Sequence, residues 1–430
     1  MPDSKDVVLG SSHEGTPGKY SGSAAYLPLI RMFLPFALGY FLSYLFRIIN
    51  AVIAPQLLAD IAMTPAEIGL VTSTYLLCFA AFQLPLGVLL DRYEPRRVLA
   101  ALLLVAGLGS LLFASAQSVS QLMLGRGLIG LGVSACLMAA FKTYSVWFPV
   151  QRLPLINGLQ LTAGGLGALA ATRPVELVLA LSNWQTLFLG LAGLCVLVSL
   201  LVFVVVPRHQ PIGKAESLAE QLLGTWQILT HREFYLRAPA GMLAQSAFAA
   251  IQGLWVGLWL KDIEGLDSLE QANQLFTVAF GMTCGFLSLG WLADRLQHHG
   301  MTPGQVCFGG MTLFLLVQSW IFAGPSTTPA LLWWLFGFFG TSGTLMFAVL
   351  SQRFPVRQTG RVNTTLNLLI FLGAFLMQWG IGAVIGGWGQ TDFPLLSAYQ
   401  LGFGICGVLQ LLGLLWFLWG SRPRPPKAGS

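Results

Sequence analysis

This sequence predicts an all-α membrane protein of twelve transmembrane helices in two pseudo-symmetric six-helix bundles, and three observations predict it. Of its 430 residues 55% are hydrophobic and only 9% charged, with 13 Trp and 29 Phe, too little polar surface to cover a water-soluble globule of that length. Twelve apolar runs approach the ~20 residues that a helix needs to cross ~30 Å of hydrocarbon. The phrase GVLLDR at Gly87–Arg92 returns 203 residues later as GWLADR at Gly290–Arg295, each copy where an apolar run ends in a charged turn. A long-period repeat of this kind is the mark of a duplicated membrane bundle.

The runs lie near 30–58, 67–90, 97–116, 120–147, 153–181, 184–206, 235–260, 271–293, 303–323, 328–352, 361–388 and 393–419. This divides the chain into an N-terminal tail (1–28), a first bundle (29–206), a linker (207–234), a second bundle (235–419) and a C-terminal tail (420–430). The duplication extends beyond the turns. FPVQRLPLIN at Phe148–Asn157 aligns with FPVRQTGRVN at Phe354–Asn363 at an offset of 206, which also sets Ser145 on Ser351 and Gly167 on Gly373. The first 28 residues lack a basic segment leading to a small-residue cleavage site, so the first helix is expected to act as its own insertion signal. All six cysteines fall inside apolar runs without metal-ligand spacing and read as packing residues.

An even number of spans puts both termini on one side. With the termini cytoplasmic, that side gathers all but five of the 23 Lys and Arg, and the opposite side keeps Lys261 in the acidic loop Lys261–Asn273. The expected location is a cell membrane of the bacterial inner-membrane type, crossed many times. The formal charge of +6 reports this topology and implies no nucleic-acid partner.

Five charges fall inside the runs: Arg47, Arg126, Lys142, Arg173 and Glu176. Charge at mid-membrane costs ~3 kcal/mol or more, so such residues are functional candidates. Four cations against one anion favour an anionic small-molecule substrate. Arg47, deep in the first run and eight residues before Pro55, offers a guanidinium fork that suits carboxylate or phosphate; a structural bond to a carbonyl is the alternative. The repeat offset carries Arg47 to the region of Gln252. There Gln245, Gln252, Trp255 and Trp259 fall on one helical face and make a candidate opposite wall. Lys142 reads either as a substrate ligand or as a cation snorkelling to the interface. Arg173 and Glu176, spaced i,i+3, are expected to pair as a gate, with Glu176 a candidate proton carrier. Asn363, Asn367 and Gln378 in the eleventh run could complete a site or bond between helices.

Twelve spans split six and six, a longer middle loop and the duplicated G-x-x-x-D-R turn resemble the major facilitator superfamily over almost the whole chain. GVLLDRYEPRR matches that family's first turn at Gly87, Asp91, Arg92, Arg96 and Arg97 and departs at Glu94, where Gly is usual. The resemblance implies that Gly87 allows a close helix approach, that Asp91 accepts hydrogen bonds at the start of a neighbouring helix, and that the arginines clamp the cytoplasmic face. Gly290, Asp294 and Arg295 form the second copy. Glu94 sets a carboxylate beside Arg96 and Arg97 and costs ~1 kcal/mol if the position requires positive φ. RGLIGLG resembles the family's fourth-helix pattern, in which the arginine, here Arg126, is tied to proton coupling; a backbone-bonding role is the alternative. The glycine-rich stretch at Gly158, Gly164, Gly165 and Gly167 before Pro174 resembles the fifth helix that the family packs against its other half. The position of Arg47 is similar to the anion-gripping arginine of organophosphate and organic-anion members.

The function these features imply is secondary active transport of a small organic anion by alternating access, with possible proton coupling, by a protein expected to act as a monomer. A multidrug or metabolite exporter and a nitrate/nitrite-type porter are the alternatives within the class. A receptor on the same fold is the alternative outside it. No nucleotide loop, paired catalytic carboxylates or metal constellation points to an enzyme or a cofactor.

Overall fold

The computed structural model describes residues 26–149, 152–208, 217–324, 329–388 and 394–421, and these are helical apart from short turns. The first half comprises α1 (Tyr26–Ile48), α2 (Asn50–Asp60), α3 (Pro65–Arg92), α4 (Pro95–Ala114), α5 (Val119–Val133), α6 (Cys136–Trp147), α7 (Leu153–Ala170), α8 (Arg173–Leu179) and α9 (Trp184–Val205). The connecting stretch holds α10 (Leu218–Thr230). In the second half, α11 (Arg232–Ala250) runs through a π turn at Ile251–Trp255 into α12 (Val256–Asp262), and α13 (Ser268–Gln297) and α14 (Pro303–Ala323) follow. Next, α15 (Ala330–Gly340) passes a 3₁₀ turn at Ser342–Thr344 into α16 (Leu345–Ser351), before α17 (Val356–Trp388) and α18 (Leu395–Ser421).

Among the described residues ten helices are long and apolar enough to cross a membrane, or eleven when α1 and α2, bent by 48°, count as one span. The expected run at 153–181 is divided instead. Helix α7 has 18 residues, a rise of about 27 Å, and the chain turns at Thr172 (φ −106°, ψ −112°) before α8. The linker is not wholly irregular: α10 lies within it, and the next helix starts at Arg232 rather than at 235.

Local chemistry sets the helix starts. Thr64 and Glu67 close a capping box, with Glu67 N donating to Thr64 Oγ1 at 3.2 Å and Thr64 N to Glu67 Oε2 at 2.8 Å. Thr302 with Gln305 and Ser217 with Glu220 repeat the device. Pro65, Pro95 and Pro303 sit in the first turn, where a missing N–H costs nothing. The flanks are built for lipid: Leu104, Leu108, Leu197, Leu200 and Val204 are 50–67% exposed, an apolar belt that water would not tolerate.

The duplication is visible in packing. A Cβ on Gly167 would collide with the Phe41 carbonyl of α1, and a Cβ on Gly373 would stand 2.5 Å from the Ser246 hydroxyl of α11. The fifth and eleventh runs thus press on the first and seventh through equivalent glycines. Gly165 also meets Thr283 of α13 across the two halves. Four runs are broken at related places: α1/α2 at Ile49, α5/α6 at Ser134–Ala135, α11/α12 at the π turn and α15/α16 at the 3₁₀ turn.

The halves meet where α3 lies along α17, α13 along α7 and α8, and α2 along α12. They close tightly at the end that carries Pro65 and the Asp267 loop. A Cβ on Gly69 would press on the Gln378 carbonyl, one on Gly382 would strike the Pro65 carbonyl, and one on Gly257 the Ala51 carbonyl. Pro55 has no N–H to occupy that Ala51 carbonyl, and the glycine lets α12 settle against it. At the opposite end α10 contacts both α3 and α17: Gln221 lies against Gly87, and Gly224 against the Arg361 guanidinium.

Candidate substrate site

Where α1 gives way to α2, the Arg47 guanidinium projects between the halves. Its carbon lies over the rings of Tyr44 at 4.4 Å, Phe371 at 4.8 Å and Phe79 at 5.4 Å. Tyr44 shares α1 and Phe79 lies on α3, whereas Phe371 comes from α17 of the other half; the Phe79 and Phe371 rings stack with centroids 4.2 Å apart. Arg47 Nε is buried without a hydrogen-bond partner, and the guanidinium makes no ion pair among the described residues. The Tyr40 and Tyr75 phenols are its further neighbours, Tyr75 itself donating to the Ser43 carbonyl at 3.1 Å.

Helices α3 and α17 run antiparallel, and one face of each forms a ladder. Thr72, Phe79 and Gln83 line up on α3, opposite Gln378, Phe371 and Asn367 on α17. In the first rung Gln378 Nε2 donates to Thr72 Oγ1 at 2.7 Å. The second is the Phe79–Phe371 stack. One turn further along the same two faces stand Gln83, whose Nε2 is buried and unpartnered, and Asn367, which is half-buried.

The remaining candidates fall elsewhere. Arg126, 1% exposed, donates from a terminal guanidinium nitrogen to the Phe46 carbonyl at 3.1 Å and rests against Tyr75 and Phe113, so it braces the bend from which Arg47 projects. Trp255 donates to the Gln378 carbonyl at 2.9 Å. Gln252 turns to the Met282 sulfur, Gln245 lies against Gly343, and Trp259 packs on Phe322, Tyr399 and Phe403. The expected single wall of Gln245, Gln252, Trp255 and Trp259 is therefore not formed, because the π turn at Ile251–Trp255 shifts the helical register in mid-face.

Lys142 is held by Asp91 at 2.5 Å and by the Leu90 carbonyl at 2.6 Å, with the turn rather than with Arg47. This corrects the expectation for Asp91, whose partner is a lysine on α6 and not the start of a helix. The arginine clamp is corrected as well. Arg96 donates to Glu94 at 2.8 Å and to the Phe203 and Val206 carbonyls at 3.1 Å, neutralising the C-terminal end of α9. Arg97 reaches Glu94 at 3.2 Å, and Arg92 is exposed. Glu94 has φ −57°, so it carries no positive-φ strain, and the Arg96 hydrogen bond holds its carboxyl below the usual 4.5. In the second copy a Cβ on Gly290 would meet open space, Arg295 is exposed, and the Asp294 side chain lies outside the described residues. Arg173 and Glu176 do not pair. Arg173 opens α8 just past the bend at Thr172 and is exposed, while Glu176 feels the charge of Asp267 from the facing loop.

A sequence profile described as Major Facilitator Superfamily matches residues 36–378. The chain belongs to the major facilitator superfamily, a family of membrane transporters and not of enzymes. It is 25% identical to the probable sulfoacetate transporter SauU of Cupriavidus necator, covering 88% of this chain and 92% of that one. It is 28% identical to the 4-hydroxybenzoate transporter PcaK of Pseudomonas aeruginosa, over 81% and 84% of the two. Among solved structures, a bacterial homologue of the human lysosomal transporter Spinster, inward-facing and unoccupied, superposes with a TM-score of 0.70 at 16% identity, covering 91% of this chain and 96% of that one. That likeness supports the superfamily fold assigned here.

The aromatic cage escaped the sequence reading. Phe79 and Phe371 lie 292 residues apart among 29 phenylalanines, and nothing local marks either. The equal spacing of Thr72, Phe79 and Gln83 against Gln378, Phe371 and Asn367 was the available signal, once the second and eleventh runs are laid antiparallel.

Proposed function

We propose that this superfamily member is a secondary transporter of a small organic anion, with Arg47 as the anchor and alternating access of the two halves as the mechanism. The observation that carries this reading is the Arg47 guanidinium, which lies between the halves with aromatic faces around it and no carboxylate paired to it. An unpaired cation in low dielectric is costly, and a substrate anion relieves the cost while accepting charge-assisted hydrogen bonds. Both named relatives carry anions by their descriptions, one a sulfonate-bearing carboxylate and the other an aromatic carboxylate. Orientation follows the charge pattern, with both termini and the arginine-rich turns in the cytoplasm.

The test is anion binding and counterflow with purified protein, wild type against Arg47→Lys and Arg47→Ala, each checked for monodispersity. Lysine keeps the charge but loses the planar fork, so affinity should fall at least tenfold in Arg47→Lys and further in Arg47→Ala. Wild-type affinity for an identified anion in both variants would make Arg47 structural.

A further inference from the structure

We propose that α10 docks on the bilayer at the arginine-rich end of the molecule, as an interfacial helix whose Leu222, Leu223 and Trp226 face enters the headgroup–acyl boundary. The proposal is independent of the anion reading. Helix α10 starts at the Ser217–Glu220 capping box and carries three faces. At about 100° per residue, Gln221, Gly224, Thr225 and Ile228 fall together, and these are the buried or half-buried ones. Leu218, Leu222, Leu223 and Trp226 share the next sector and are 45–65% exposed. Glu220 and Gln227, both exposed, take the remaining sector.

The buried face fixes where the helix lies. With its amide oriented to satisfy both groups, Gln221 donates to the Leu84 carbonyl of α3 at 2.7 Å and accepts from Val88 N–H at 3.2 Å, an approach open because Gly87 has no Cβ. Leu84 and Val88 stand eight and four residues before the end of α3 at Arg92, about 6–12 Å in from the charged turn. Amphipathic helices settle at a similar depth, ~5–10 Å into the membrane boundary. One turn along α10, Gly224 lies against the Arg361 guanidinium near the start of α17, so the helix crosses the seam between the halves. It crosses on the outer flank. The α17 face that carries Arg361 continues as Leu372 and Leu376, 38% and 53% exposed, and the α3 face of Leu84 and Val88 continues as exposed Ala81. Phe371, beside Arg47, lies on another side of α17. The occupant of the Leu222–Trp226 face is therefore lipid, continuing the apolar flank of α17. Tryptophan favours this boundary. The Thr230 hydroxyl folds back on the Trp226 and Gln227 carbonyls and adds no open polar group. Exposed Arg232, two residues past α10, brings a cation toward the lipid phosphates.

Nitroxide labels placed singly at Leu222→Cys, Leu223→Cys, Trp226→Cys and Gln227→Cys test the docking, in cysteine-depleted full-length protein held in nanodiscs of phosphatidylethanolamine and phosphatidylglycerol. All four sites are exposed, so the labels displace no packed side chain. Power-saturation EPR compares collisions with oxygen, which concentrates in lipid, and with a nickel chelate confined to water. Oxygen should dominate at the first three sites and the chelate at Gln227→Cys, a reversal within one residue of Trp226→Cys. Chelate dominance at all four sites makes the face water-exposed and overturns the proposal. Weak collision with both probes at the first three sites overturns it in favour of a protein contact, such as a second copy. Oxygen dominance at Gln227→Cys as well means full immersion and overturns the interfacial orientation.

Discussion

Arg47 and Arg126 show how two guanidiniums in one membrane interior come to different ends. Arg126 meets a main-chain carbonyl and two ring faces, which suits a permanent brace. Arg47 has ring faces and no bonded acid, which suits a site that waits for one. Glu94 makes a residue-scale case outside the membrane, where it gathers Arg96 and Arg97 into a local cluster. Its carboxyl sits below the ordinary value because of the Arg96 hydrogen bond. A group with a lowered folded value contributes stability that is full above its unfolded value and lost as pH falls through the folded one. The stability gap between wild type and Glu94→Gln should therefore be complete at pH 7, on the order of 1 kcal/mol for a partly exposed pair. It should begin to shrink as pH falls past the ordinary carboxyl value and vanish only below the lowered folded value. Thermal unfolding in detergent across that range measures it, and a gap independent of pH would show that the charge contributes nothing.

Helix interruptions govern the next scale. The break at Ile49 and the π turn before α12 stand at related positions in the duplicated halves, and just beyond them the Ala51 carbonyl of α2 and Gly257 of α12 meet at the seam. Run boundaries were legible within a few residues because apolar length is a strong signal, and the repeat announced two bundles. Interruptions inside the runs were not legible, since apolar composition is blind to a π turn or a bend at Thr172. The Gln245–Trp259 wall, which depended on unbroken helical spacing, failed for that reason, whereas Arg173 and Glu176 share α8 with their spacing intact and still do not pair. Lys142 met Asp91 through a contact 51 residues long that no local spacing predicts. Arg47 stood out because its oddity is local: a lone cation in an apolar run needs no neighbour to be conspicuous. The seam itself can be tested at Gly257. A methyl there would run into the Ala51 carbonyl, so Gly257→Ala should push α12 away from α2 and loosen closure at this end. Spin labels at Ala59→Cys and Lys261→Cys, both exposed sites, should report longer and broader distances in the variant. An unchanged distribution would mean that closure does not depend on this contact.

Across the whole molecule, two carboxylates frame the end that is closed. Asp60 accepts from Trp184 Nε1 and Asp262 from the Tyr399 hydroxyl, both at 2.7 Å, and Asp267 and Glu270 lie in or beside the exposed loop at the same end. The opposite end carries Arg92, Arg96, Arg97, Arg208 and Arg295. Lys and Arg resist transfer across the bilayer during insertion while Asp and Glu hardly influence it, so this asymmetry predicts which end faces out. A membrane-impermeant maleimide applied to intact cells should label Ser268→Cys in the acidic loop and leave Ser217→Cys at the start of α10 untouched until the cells are opened. Four native cysteines are buried and two are half-buried, so a cysteine-depleted background keeps the signal clean. Labelling of Ser217→Cys in intact cells with protection of Ser268→Cys would invert the molecule, placing the Pro65 closure on the cytoplasmic side and requiring Arg47 to be reached first from outside.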